Sequence, residues 1–244
     1  MSLGVDGRIS TEGSPQVHGT GALASALAVA GKDLRIELRT REIVTTAGFF
    51  AALVAIMASV SFYGGDAAAT RVASGTIWLA VAFASVLALG RTWQREREDS
   101  ALLALLVSPA PRASIFAGKA IGVVAFITIV EAIVVPVVAL LFHIELGHFI
   151  GPLALVLFLS TIGIAATGTL FGAMTVRTRA RDLVLATVLF PLLSPAMVSG
   201  VAATREIFVG APFDEITDYL LLLGTFDFVA IAGGLALFGV LLDD

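Results

Sequence analysis

The chain has 244 residues, of which 58% are hydrophobic and 14% charged, with a formal net charge of −4 and no cysteine. Soluble domains hold about 45–50% apolar residues, so this composition excludes a water-soluble globular domain and makes the bilayer the solvent to reason with. The absence of cysteine removes disulfides, thiolate metal sites and thiol nucleophiles, and the net charge matters less than where the positive residues sit.

Residues 1–21 are rich in Gly, Ser and Thr and contain no apolar run, which predicts a disordered tail. They do not form a signal peptide, because the first long apolar stretch begins only near Ile43 and is a full span in length. Residues 22–42 place Leu23, Leu27, Leu34 and Leu38 at helical spacing beside Lys32, Arg35, Arg39 and Arg41. That pattern predicts an amphipathic helix at the membrane surface. A solvated helix leading into the first span is the alternative.

Six apolar runs follow, at 43–63, 73–90, 120–142, 149–176, 183–203 and 219–242. A helix rises about 1.5 Å per residue, so about 20 residues cross a hydrocarbon layer about 30 Å thick. The fourth run exceeds that and should tilt or extend past the interface. None alternates as a barrel strand does, so the expected fold is all-α, a polytopic bundle of six transmembrane helices with no separate soluble domain.

Orientation follows from the fifteen Lys and Arg residues. Arg8, Lys32, Arg35, Arg39, Arg41, Arg91, Arg95, Arg97, Arg112, Lys119, Arg177, Arg179 and Arg181 fall on one side, and only Arg71 and Arg205 on the other. Positive residues stay inside, so both termini and the 91–119 and 177–182 connections are expected in the cytoplasm.

The 91–119 connection holds the densest charge, RTWQRERED, followed by SALLALLV and Ser108-Pro109. A short helix parallel to the membrane is predicted there, with Glu96, Glu98 and Asp99 in its first turns, where the helix dipole favours acids. Leu102, Leu103 and Leu106 share one face and Pro109 ends the helix. Such an element either docks into a groove on a cytosolic partner or packs against its own bundle.

The stretch RTWQREREDSALLALLVSPAPRASIFAGKAIG resembles the cytoplasmic segment after the second span of type-2 ABC permeases. Together with GKDLRIELRTRE at 31–42 and with Glu131 and Pro136 in VEAIVVPVVALLF, it is similar to the CcmB family of the cytochrome c maturation system, over roughly residues 31–242. The tail at 1–30 is longer than that family leads one to expect. The resemblance implies a non-catalytic inner-membrane permease that pairs with a cytosolic ATPase, CcmA, and works with CcmC and CcmD. Such a complex uses ATP to release the haem-loaded chaperone CcmE on the outer face, and older descriptions make it a haem exporter. The 91–109 segment would be the coupling helix. Haem would be a handled ligand rather than a bound cofactor, and no nucleic-acid partner is implied.

Two acids lie well inside the apolar runs, Glu131 in the third and Asp227 in the sixth. An acid at a helix centre costs about 2.5–3.5 kcal/mol to insert on translocon scales, so each should face the bundle interior, protonated or partnered. Each serves either a conduit or subunit contact, or a packing hydrogen bond to a neighbouring helix. Pro136, Pro191 and Pro195 predict bent or discontinuous helices that free backbone carbonyls. Gly168 and Gly172, with Gly163 before them, form a small-xxx-small contact face for a helix of this chain or another.

His143 and His148 flank the outer turn HIELGH. Imidazole is a usual axial haem ligand, yet histidines at the water interface need no such role. The turn is not a zincin site, since His-Glu-x-x-His requires the acid one place earlier. Between the fifth and sixth spans, TREIFVGAPFDEITD mixes Ile207, Phe208, Val209 and Phe213 with acids, which suits short interfacial helices on the outer face. There is no GxxxxGK[ST] and no GxSxG, so ATP would be a partner's ligand. The rival readings are a type-2 ABC permease for a drug, lipid or glycan, and a membrane scaffold that moves nothing.

Overall fold

The computed structural model describes residues 21–61, 66–98, 111–175 and 181–243, without the side chains of 66–67, 95–98, 175, 181–186 and 242–243. Among the described residues the elements are α1 Ala22–Thr40, α2 Glu42–Ser61, α3 Asp66–Glu98, α4 Arg112–Leu141, α5 Ile150–Thr175, α6 Arg181–Phe208 and α7 Phe213–Asp243, with a 3-10 turn at Leu146–His148 and no strand. The six from α2 onward are long and apolar enough to cross a membrane. The chain is therefore an all-α multi-pass membrane protein.

The helices join through short, well-satisfied corners. Arg41 takes a left-handed conformation (φ 54°) and gives its N–H to the Glu37 carbonyl, so α2 begins one residue after α1 ends. The Glu37 carboxylate accepts from the Val44 N–H at 2.9 Å, filling one of the donors left open at the start of α2. His143 (φ 57°) follows α4, and the Ile144 N–H closes back on the Ala139 carbonyl at 2.9 Å. Gly210 (φ 77°) ends α6 in the same manner, with Gly210 N–H to Ile207 and Ala211 N–H to Glu206. Both corners are Schellman caps.

Three sequence expectations shift. RTWQRERE contains no strong breaker, so α3 runs on through it and Glu96 and Glu98 close that helix instead of opening a new one. Thr204 and its neighbours extend α6 to Phe208, and α7 starts at Phe213, so the segment between the fifth and sixth spans does not form the short interfacial helices expected there. The third concerns the prolines, for of the bent and discontinuous alternatives the discontinuous one is not met: α6 is continuous through Pro191 and Pro195, and α4 through Pro136. Pro195 has no N–H for the Pro191 carbonyl, and the Ser194 hydroxyl donates to that oxygen at 2.6 Å. At Pro195 a side chain of the helix itself thus serves the freed carbonyl.

Two-thirds of the apolar stretches of α3 and α5 are buried, against 17% for α7, so α3 and α5 form the centre. Their contact is close because Gly168 and Gly172 of α5 lie against Leu89 and Trp93 of α3. The small-xxx-small face is therefore covered by a helix of this chain. Ala47, Ala51 and Ala55 form the buried stripe of α2. Phe50, Phe83 and Phe190 link α2, α3 and α6, with ring centroids 5.1 and 5.9 Å apart.

Candidate functional site

Glu131 sits two-thirds of the way along α4 and is 5% exposed. The Thr161 hydroxyl of α5 donates to its Oε1 at 2.6 Å. Asp227 of α7 is also buried, and its Oδ1 occupies the space that a side chain at Gly163 would fill. That oxygen has no hydrogen-bond partner among the described residues. The two acids thus approach α5 from different neighbours, Glu131 from α4 and Asp227 from α7.

Glu131 also lines a hollow of about 660 Å³ between α4 and α5, with Thr128, Ala132 and Pro136 on one wall and Leu153 and Phe158 on the other. Pro136 lacks the N–H that would meet the Ala132 carbonyl. Thr128 and Glu131 are the polar residues among its otherwise apolar lining. A second hollow of about 440 Å³, also bordered by Phe158, is lined by Ala117, Ala120 and Val124 of α4 and by Ile231 and Leu235 of α7.

Sequence reasoning missed the polar junction between α1 and α4. Lys119 Nζ donates to Asp33 Oδ2 at 2.8 Å, and the two residues are 1% and 8% exposed. A side chain at Gly118 would strike the Ala26 carbonyl and Val29, and Gly122 faces Asp33, so the Gly-x-x-x-Gly edge of α4 receives α1 at backbone distance. The signal was present in Gly118-Lys119 directly before an apolar run and in Asp33 within the 22–42 helix. Only their pairing across 86 residues was hidden. Three of the four leucines of α1 point elsewhere: Ser25, Asp33 and Glu37 are buried, whereas Leu23, Leu27 and Leu38 are exposed and Leu34 is half-buried against Ile43, Ala88 and Phe126. At the start of α2, Glu42 meets Arg91 of α3 at 2.9 Å.

The remaining predicted residues divide into two groups. Glu96 and Glu98 lie in the last turn of α3, while Leu102, Leu103, Leu106 and Pro109 lie outside the described residues. In the α4–α5 connection, His143 and His148 are exposed and line separate small pockets of about 200 and 170 Å³, both bordered by Phe149. His143 has a role that the sequence reading overlooked, as the left-handed residue of the α4 cap, a conformation in which histidine is enriched.

A family model described as "CcmB protein" matches residues 24–239. The chain is 27% identical over 187 residues to "Heme exporter protein B" of Bradyrhizobium diazoefficiens, an alignment covering 75% of this chain and 84% of that protein. It is 28% identical over 136 residues to the protein of that description in Rhodobacter capsulatus, covering 56% of this chain and 62% of the relative. A third, in Paracoccus denitrificans, is 30% identical over 142 residues, 58% and 65% of the two chains. The matched region takes in every described helix except 22–23 of α1 and 240–243 of α7. Helix for helix, this chain belongs to the CcmB protein family.

Proposed function

We propose that this chain is the membrane permease subunit of an ABC complex in cytochrome c biogenesis, set in the inner membrane with both termini in the cytoplasm. The observation that carries the reading is the family match, which runs through all six apolar helices. Haem, the substance named in the description of the relatives, is the ligand that the complex handles, either as exported cargo or through release of a haem chaperone, CcmE. ATP hydrolysis belongs to a CcmA-like cytosolic subunit, and CcmC-like and CcmD-like membrane proteins complete the assembly. The thirteen-to-two distribution of Lys and Arg supports the orientation.

Force from the ATPase enters through the 91–119 connection. From Gly90 to Glu98, α3 extends about 12 Å further as helix, and its Trp93 is buried against the bundle. Movement of Glu96, Glu98 and the following Leu102, Leu103, Leu106 and Pro109 would act on the most enclosed helices, α3 and α5. Glu131 and Asp227, each set against α5, are the polar groups that such movement would reach.

The test is a pull-down of the tagged protein from mildly solubilised membranes, wild type beside Leu102→Asp/Leu106→Asp, with mass spectrometry of the co-purifying proteins. An ABC ATPase together with CcmC-like or CcmD-like proteins, the ATPase being lost from the variant, is the expected result. An ATPase without haem-maturation proteins would favour a permease for another substrate. Recovery of no ATPase would overturn the ABC reading.

A further inference from the structure

Helix α1 carries a repeat whose third member the bundle does not use. Asp33-Leu34-Arg35 and Glu37-Leu38-Arg39 are acid–leucine–arginine triplets four residues apart. Like members therefore stack on one face of the helix, and each successive member lies about 100° further round. The acids turn into the bundle, where both are buried: Asp33 takes Lys119 at 2.8 Å, and Glu37 accepts from the Val44 N–H. The leucines form a second row with Leu23 and Leu27. At Leu34 this row rests on Ile43, Ala88 and Phe126 of the apolar helices α2, α3 and α4, so it faces the side on which the spans lie. Leu23, Leu27 and Leu38 continue the row uncovered, at 71%, 55% and 64% exposure.

The arginines form the third row. Arg35 and Arg39 are exposed, as is Arg41 at the corner that follows, and none has a carboxylate within ion-pair distance among the described residues. The acids of their own triplets lie on the buried face, engaged by α4 and by the start of α2. These cations need anions from outside the chain, and the leucines beside them say which kind. A soluble acidic protein would answer the arginines and leave the leucine row in water. A zwitterionic lipid would cover the leucines but bring each phosphate with its own ammonium. An anionic phospholipid answers both rows, with acyl chains on the leucines and phosphates at the depth of the guanidinium groups.

We propose that the outer edge of α1 is a binding site for anionic phospholipid, in which Arg35, Arg39 and Arg41 hold headgroup phosphates and the leucine row enters the acyl layer. Guanidinium groups suit this task because their paired N–H donors match two phosphate oxygens at once. The site is independent of the cargo that the complex serves.

An environment-sensitive fluorophore on Leu38→Cys, in the full chain reconstituted in phosphatidylcholine nanodiscs, tests it, since the protein has no cysteine of its own. Quenching by nitroxide-labelled phosphatidylglycerol is compared with quenching by nitroxide-labelled phosphatidylcholine. Phosphatidylglycerol should be preferred about fivefold or more, the effect of at least one interfacial cation, and high salt should weaken the preference. Arg35→Gln/Arg39→Gln should bring it to about twofold or less, and Arg35→Lys/Arg39→Lys should keep most of it, as a loss and a retention of charge require. The fluorophore on Val229→Cys, an exposed position of α7, should show no such preference and the same signal in every variant that is folded. Equal quenching by the two lipids at Leu38, or a preference that survives the glutamine substitutions, would overturn the proposal. So would a Leu38 fluorophore that aqueous iodide quenches as fully as the free dye, the result expected of a surface facing water. If the glutamine variant fails to fold, the salt series on the unaltered arginines decides, and a preference that high salt leaves intact would count against the site.

Discussion

Lys119 and Asp33 form a buried ion pair at 2.8 Å that fastens α1 to the N-terminal part of α4. Lys32 stands 3.3 Å from the other carboxylate oxygen, so Asp33 is held between two cations, one buried and one half-exposed. Removing one partner of a buried pair costs about 3–5 kcal/mol, whereas replacing both with apolar groups is often neutral. Lys119→Ala should therefore sharply lower the thermal stability of the detergent-solubilised protein and expose α1 to protease. The double variant Asp33→Leu/Lys119→Met should recover most of the loss, and equal losses in both would show that the pair is not what holds α1.

The same junction depends on Gly118, where an added side chain meets the backbone of Ala26. Gly118→Val should cost about 1–3 kcal/mol through overpacking and release α1, as limited proteolysis would reveal. Gly151→Ala, which enters open space, should leave the melting temperature unchanged or slightly higher.

At the centre of the bundle, Thr161→Val deletes the donor to Glu131 Oε1. Leaving a buried acceptor unsatisfied costs about 1–3 kcal/mol, which thermal unfolding should detect. Glu131→Gln can accept the same bond, so adding Thr161→Val to Glu131→Gln should cost a similar amount, and adding it to Glu131→Leu should cost almost nothing.

Ser194 and Pro195 should behave as a coupled pair. Ser194→Ala removes the hydroxyl that serves the Pro191 carbonyl and should cost about 0.6 kcal/mol, an average intramembrane hydrogen bond. In a Pro195→Ala background the backbone N–H returns, and the Ser194→Ala effect should vanish. A double-mutant cycle on thermal stability reads this directly.

Because the chain has no cysteine, the proposed orientation is open to labelling with single introduced cysteines. A membrane-impermeant maleimide added to intact spheroplasts should modify Gly147→Cys and spare Ser10→Cys, and lysis should make both reactive. The reverse pattern would invert the topology.

Much of the architecture was legible because membrane spans are set by local quantities. An apolar run of sufficient length must form a helix in lipid, so 43–63 and 149–176 fall within two residues of α2 Glu42–Ser61 and α5 Ile150–Thr175. Helix ends were less legible where polar residues continue a helix without a breaker, as at Arg91 and Thr204. Charge marks where a chain leaves the hydrocarbon, not where its hydrogen bonds stop. His143 and the Schellman caps show a further limit: a left-handed residue is chosen by the direction the chain must take next.

By itself, then, the sequence determined the number of spans and the two acids that had to be sheltered, since each follows from transfer free energies of single residues or short windows. Only the tertiary structure decided which partner each sheltered group receives. Thr161 for Glu131, the wall of Gly163 for Asp227, Asp33 for Lys119, and Leu89 and Trp93 for the glycines of α5 all depend on close contacts between helices far apart in the chain. A hydrogen bond or a packing contact acts over a few ångströms, and periodicity along one helix does not specify which face of another will come within that reach.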